Sequence, residues 1–291
     1  MFDLRYHVAS LAAVFLALVV GILVGAAISN PELADQAEMV RQRDQILRLE
    51  DDLRTASTRL REQRAADAFV EAAYPVVIAG RLADKKIAVV FIGSVDEELA
   101  PAVRDALADA GAELLRLRAL TVPLRSEALE ATLASRRTLE RYRGEERLSE
   151  LGRDLGNELV QGGETPLWDA LAGDLVEERS GGAKGQADGV VVVRSAKPQR
   201  EPTALFLGGL YAGLQGSVPI VGVEGSSTKP SAIGVFKRAG FSSVDSIDTA
   251  PGKVALAVLL EGARRGHYGM KESASRVLPR IDPVAPAGTD G

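Results

Sequence analysis

The sequence predicts an α/β fold: a three-layer sandwich around a mostly parallel five-stranded sheet, preceded by a single N-terminal transmembrane helix and a coiled-coil helix. Three observations predict it. Residues 8–28 run for 21 positions without a charge. Residues 31–74 are charged and heptad-patterned. Beyond them, solidly apolar runs such as Gly189-Val190-Val191-Val192-Val193 alternate with amphipathic stretches. Strands buried on both faces, with helices covering them, produce that alternation.

In helical form the apolar run covers ~31 Å, the hydrocarbon thickness of a bilayer. Gly25-Ala26-Ala27 offers small residues at a signal-peptidase spacing. The run nevertheless exceeds the roughly 7–15 apolar residues of a signal peptide, so residues 1–30 read as a retained anchor in membrane lipid. Arg5 and the amino group lie on one side, against Glu32, Asp35 and Glu38 on the other. This orients the N-terminus to the cytoplasm and the body outside it, although Arg41, Arg43 and Arg48 count the other way. Ala9, Ala13, Ala17, Gly21, Gly25 and Ser29 place a small residue at every fourth position. Such a face lets a second helix approach closely, and Ala17, Gly21 and Gly25 are its candidate association residues.

In the next segment Met39, Ile46, Leu53 and Leu60 occupy heptad position a, with Gln42, Leu49, Ala56 and Gln63 at d. Ile46, Leu53 and Leu60 thus extend the homo-oligomer surface into a coiled coil; the alternative is a lone amphipathic helix packed on its own domain. Tyr74-Pro75 is expected to end this helix.

The α/β domain is expected over 75–278. Strands are expected at 86–92, 113–117, 189–193, 218–223 and 243–247, in the order 2-1-3-4-5. Helices are expected at 97–110, 202–214, 231–239 and 251–262. A charged helical insertion, 126–185, carries the stripe Leu148, Leu151, Leu155, Leu159 and the lone Trp168; it reads as a lid or as an arm for a partner. Residues 279–291 are expected to be a disordered tail.

A net charge of −5, with no basic run interleaved with aromatics, excludes a nucleic-acid partner. With no cysteine there is no disulfide framework, thiolate nucleophile or Cys-based metal site, and there are only two histidines. Ligands of open parallel sheets sit past the strands' carboxyl ends. Those loops supply Gly93-Ser94-Val95-Asp96, Arg194-Ser195, Glu224 to Lys229 and Asp245-Ser246-Ile247-Asp248. None matches a dinucleotide cradle or a P-loop, and no G-x-S-x-G, H-E-x-x-H or EF-hand loop occurs. Glu224, Asp245 and Asp248 could hold a hard cation, but such residues more often cap helices and turn loops, as Thr249 and Ser231 do before their helices. His267 has no triad partner by pattern, so the chain reads as no enzyme, and no cofactor is firmly implied.

Leu4-Arg5-Tyr6-His7-Val8-Ala9-Ser10-Leu11-Ala12-Ala13-Val14-Phe15-Leu16-Ala17-Leu18, Ser227-Thr228-Lys229-Pro230, Ser243-Val244-Asp245-Ser246-Ile247-Asp248-Thr249 and Gly266-His267-Tyr268-Gly269 together resemble the mycobacterial copper transport protein B family of actinobacterial envelope proteins. The resemblance spans nearly the whole chain. It implies a role in copper efflux or tolerance, with copper as a transported ion and the protein pore-forming, an ion channel of the envelope. A barrel pore needs long strands of alternating polarity, which this sequence lacks, so a pore would have to be an oligomer of the N-terminal helix. Copper(I) favours thiolate and thioether ligands and copper(II) imidazole. Candidate ligands are therefore His267, Met270, Asp245 and Asp248, with His7 or Met39 gathered by oligomerisation. The second reading is a non-enzymatic oligomeric envelope scaffold whose α/β domain binds a partner or a small ligand.

Replacing both Gly21 and Gly25 with Ile fills the helix groove and weakens association by about tenfold, read as crosslinking of the chain in detergent. Unchanged crosslinking in a variant lacking residues 31–74 would remove the span as an association element.

Overall fold

The computed structural model describes residues 4–28, 31–181, 185–194, 197–216 and 218–283, without the side chains of 4–9, 27–28, 31–37 and 178–179. The chain divides into two units, Met1–Asp67 and Ala68–Gly291. The first unit holds α1 (Leu4–Ile28) and most of α2 (Pro31–Ile78).

Among the described residues no helix is long and apolar enough to cross a membrane. Within α1 the side chains described are those of 10–26, about 26 Å of helix. These are exposed all round, Leu11 at 74% and Phe15 at 67%. A helix apolar on every face is one that lipid or another protein covers. A Cβ on Gly21 or Gly25 would meet nothing within 4 Å, so their face is open. In α2, Met39, Ile46, Leu53 and Leu60 are likewise exposed. Pro75 does not end the helix, which runs on to Ile78. The reason lies in the second unit: Ile78 is buried in its core, with Tyr74 and Val77 packed alongside. The Tyr74 hydroxyl also donates to Asp109 at 2.6 Å. That burial outweighs the hydrogen bond lost at Pro75.

The second unit continues with β1 (Lys86–Ile92), α3 (Leu99–Asp109), β2 (Glu113–Leu120), α4 (Ser126–Ser135), α5 (Leu148–Gln161), α6 (Pro166–Ala170), α7 (Ala172–Leu175) and β3 (Val176–Ser180). Then come β4 (Gly189–Arg194), α8 (Thr203–Leu214), β5 (Ile220–Val223), α9 (Ile233–Arg238), β6 (Ser242–Val244), α10 (Ala250–Glu261) and β7 (His267–Tyr268). The sheet order is β3-β2-β1-β4-β5-β6-β7. It has seven strands, not the expected five. The five apolar strands lie in the order 2-1-3-4-5 and pair in parallel. The two additions are edges: β3 pairs antiparallel with β2, and the two-residue β7 pairs with β6. Edge strands are short and charged, so Val176-Glu177-Glu178-Arg179-Ser180 has no apolar run to betray it.

Along β1 the two faces alternate. Ala88, Val90 and Ile92 join a core with α4, α5, α6, α8 and α9, while Ile87, Val89 and Phe91 join α3, α10 and the end of α2. The insertion packs onto the first of these faces. Its leucine stripe Leu148, Leu151, Leu155 and Leu159 is buried in the first of these cores, and Trp168 donates its indole N–H to the Leu155 carbonyl at 2.9 Å. The first residues of the expected tail are packed: Pro279 is buried, and the Asp282 carbonyl accepts from Arg81 at 2.9 Å. The remainder of the expected tail, 284–291, lies outside the described residues.

Two glycine pairs, Gly152/Gly156 on α5 and Gly209/Gly213 on α8, bring these helices together backbone to backbone. A Cβ on Gly209 would stand 2.0 Å from the Ser149 oxygen, and one on Gly213 2.0 Å from that of Arg153. From the other side, a Cβ on Gly152 would stand 2.2 Å from the Phe206 oxygen. Helices meet this closely only where side chains are absent. Gly209→Val should lower stability by roughly 2–4 kcal/mol, because backbone cannot yield as a flexible side chain can. Denaturant unfolding followed by Trp168 fluorescence measures it. Gly208→Ala, whose Cβ meets nothing within 4 Å, is the control that keeps wild-type stability.

Candidate functional site

The carboxyl ends of β1, β4, β5 and β6 form one rim of the sheet, and the acids expected there are on it. Glu224 follows β5 and is fully buried. Its carboxylate accepts from the Ser231 hydroxyl at 2.8 Å, from the Ala232 amide, and from the Lys271 ammonium at 2.7 Å. Lys271 also donates to the carbonyls of Gly225 at 2.8 Å and Thr228 at 3.1 Å. Breaking a buried pair of this kind costs roughly 3–5 kcal/mol, since the remaining charge is left without its counterion.

Asp245, after β6, is 1% exposed. It accepts from the Ser246 hydroxyl at 2.7 Å and from the amides of Met270 at 2.8 Å and Lys271 at 3.1 Å. The turn that presents those amides requires Gly269. Its φ is 141°, and a Cβ there would stand 1.8 Å from an Asp245 oxygen. Asp248 lies farther out and accepts from the Ser226 amide at 2.8 Å and from its hydroxyl. Thr249 caps α10, accepting from the Gly252 amide at 3.2 Å, and Ser231 accepts from the Ile233 amide at 3.3 Å ahead of α9. Asp96, after β1, accepts from the amides of Glu98 and Leu99, both at 2.9 Å.

Glu224 and Asp245 therefore meet through one residue, Lys271, whose ammonium serves the first and whose amide serves the second. The counterion at this end of the sheet is that lysine. Among the described residues no group of three His, Cys, Asp or Glu side chains is arranged to hold a metal. Sequence reasoning missed Lys271, although two acids at one sheet end demand a cation nearby.

His267 lies on β7, its Nδ1 sharing a hydrogen bond of 2.8 Å with the Ser243 hydroxyl. Burial, and then the nearby positive charge of Lys237, hold the imidazole below its ordinary pKa of 6.5. The Met270 residue is 57% exposed. Of the other candidates, the side chain of His7 lies outside the described residues, as does Ser195. Ala17, Gly21, Gly25, Ile46, Leu53 and Leu60 all belong to the first unit, on α1 and α2.

Fold and rim together define a doubly wound α/β protein behind two long helices, with its strand-end acids engaged by internal donors. The chain belongs to the family described as "Copper transport outer membrane protein, MctB", which matches residues 1–279. It is 27% identical over 330 aligned residues to proteins named "Copper transporter MctB" from Mycobacterium bovis and Mycobacterium tuberculosis, covering 95% of this chain and 99% of theirs.

The depressed imidazole makes a pH prediction. The unfolded chain binds a proton at His267 near 6.5, the folded chain only at lower pH. Its contribution is complete above that value and declines as the pH falls through the interval below it. Between about pH 7 and about pH 5 the wild type should lose thermal stability relative to His267→Gln, which keeps a partner for Ser243. Parallel melting curves of the two would reject this by running together.

Proposed function

We propose that this chain is a membrane-anchored envelope protein serving copper tolerance. The observation that carries the reading is the family match across 1–279, together with the end-to-end relatives named as copper transporters. In this reading α1, apolar and exposed around its described length, lies in the membrane, with the body outside the cytoplasm. The exposed Met39, Ile46, Leu53 and Leu60 meet a second copy of the chain, and small residues from Ala17 to Gly25 do the same within the bilayer. Any conducting path belongs to that oligomer. The described sheet is open, its central strands apolar and buried on both faces, which supports a soluble type of core and not a wall of alternating polarity.

A second reading, an oligomeric envelope scaffold that conducts nothing, draws on the same sheet and on the engaged donors around Asp245 and His267. With the carboxylates of Asp245 and Asp248 and the Nδ1 of His267 already hydrogen-bonded, direct copper binding at this group should be weak. A deletion strain challenged with graded copper should lose growth at concentrations the parent tolerates, and regain it with the wild-type chain or with His267→Ala. Equal growth of deletion and parent would reject the copper role. Conductance of the purified chain in a planar bilayer then decides between transport by the oligomer and the scaffold.

A further inference from the structure

The strand order reverses between β1 and β4: from β1 the chain turns toward β2, and from β4 toward β5 and β6. Open α/β sheets receive ligands in the crevice outside such a reversal. A cleft of about 520 Å³ opens there, lined by Ile92 at the end of β1, Arg194 at the end of β4, and Leu207, Gly208 and Tyr211 of α8. Arg238 of α9 closes the far side. The volume falls within the range that holds small molecules.

Its walls have two characters. Ile92, Leu207 and the Tyr211 ring are apolar, and Gly208 adds a gap in α8: a Cβ there would meet nothing within 4 Å. The charges are cationic. Arg194 is only 6% exposed. It lies close enough to Tyr211 for its positive charge to oppose the rise that burial imposes on that phenol, which still stands at about 12. The guanidinium of Arg238 folds back along α9, 3.8 Å from where a Cβ of Gly234 would stand. Lys197 and Arg200 follow Arg194 in the connection to α8, against the single acid Glu201. In a chain of net charge −5 the charged side chains that line the cleft, Arg194 and Arg238, are both cationic.

We propose that this cleft binds a small carboxylate with an apolar, ring-sized body. The carboxylate meets Arg194, which lines the cleft, and the body lies over Gly208 between Leu207 and Tyr211. Water is largely excluded around Arg194, which strengthens its attraction for an anion. The site is separate from the Glu224–Lys271 rim and owes nothing to copper.

The test uses the full chain in micelles and three probes: benzoate, its neutral isostere benzamide, and acetate, which lacks the body. Saturation-transfer NMR and calorimetry should show benzoate binding at least tenfold more tightly than either of the others. Gly208→Leu fills the slot at an exposed helix position and should weaken benzoate at least tenfold. Arg194→Gln should abolish the preference for benzoate over benzamide, and Arg194→Lys should restore part of it. Equal binding of benzoate and benzamide by the wild type overturns the proposal. So does benzoate binding that survives Gly208→Leu, which remains decisive should Arg194→Gln fail to fold.

Discussion

Where α5 meets α8, four glycines replace side chains with bare backbone, and everything on that face of the sheet takes its position from the contact. The closeness lets the leucine stripe of α5 reach the same core as Phe206 and Leu210 of α8. Without it, α5 would stand off by the thickness of a side chain and Trp168 would lose its packing. Alanine at such a position meets a carbonyl oxygen rather than a movable side chain, so relaxation must shift a whole helix. The neighbouring Gly208 faces the other way, into the open cleft. Adjacent glycines in one helix thus do opposite things: one removes a wall and the other removes a spacer.

The rim at the strand ends follows another logic. Buried acids are tolerable only when donors surround them. Glu224 and Asp245 recruit part of theirs, from Met270 and Lys271, in the segment after β7, so that segment is held by charge as well as by packing. That arrangement leaves little for a metal to do at the rim. It also turns attention to the reversal between β1 and β4, where the basic groups are.

Much of this architecture was legible in the sequence because strands buried on both faces must be apolar. Val190 to Val193 admit no other reading, and the order of the five apolar strands follows from topology. The edges were not legible. β3 is charged and β7 is two residues in a glycine-rich turn, and neither needs an apolar pattern when one side of the strand is unpaired. Pro75 misled as a helix terminator because the burial of Ile78 lies outside local propensity. At the rim the acids were visible, but Lys271 was not, since nothing local links it to residues far upstream. The paired glycines stood in the sequence as two G-x-x-x-G spacings. Only the fold, by setting α5 beside α8, gives them a common meaning.

Arg81 ties this domain's beginning to its end. Its guanidinium donates to Glu261, 180 residues later, at 2.7 Å, and to the Asp282 carbonyl, 201 residues later, at 2.9 Å. Its side chain is almost wholly enclosed in doing so. During vectorial synthesis that arginine emerges long before either partner exists. Contacts of such separation close last and slow the search for the native state. The finished domain therefore has a built-in completeness check: a chain cut short of the final segment keeps its sheet strands and Glu261 but loses one of the two acceptors that enclose Arg81.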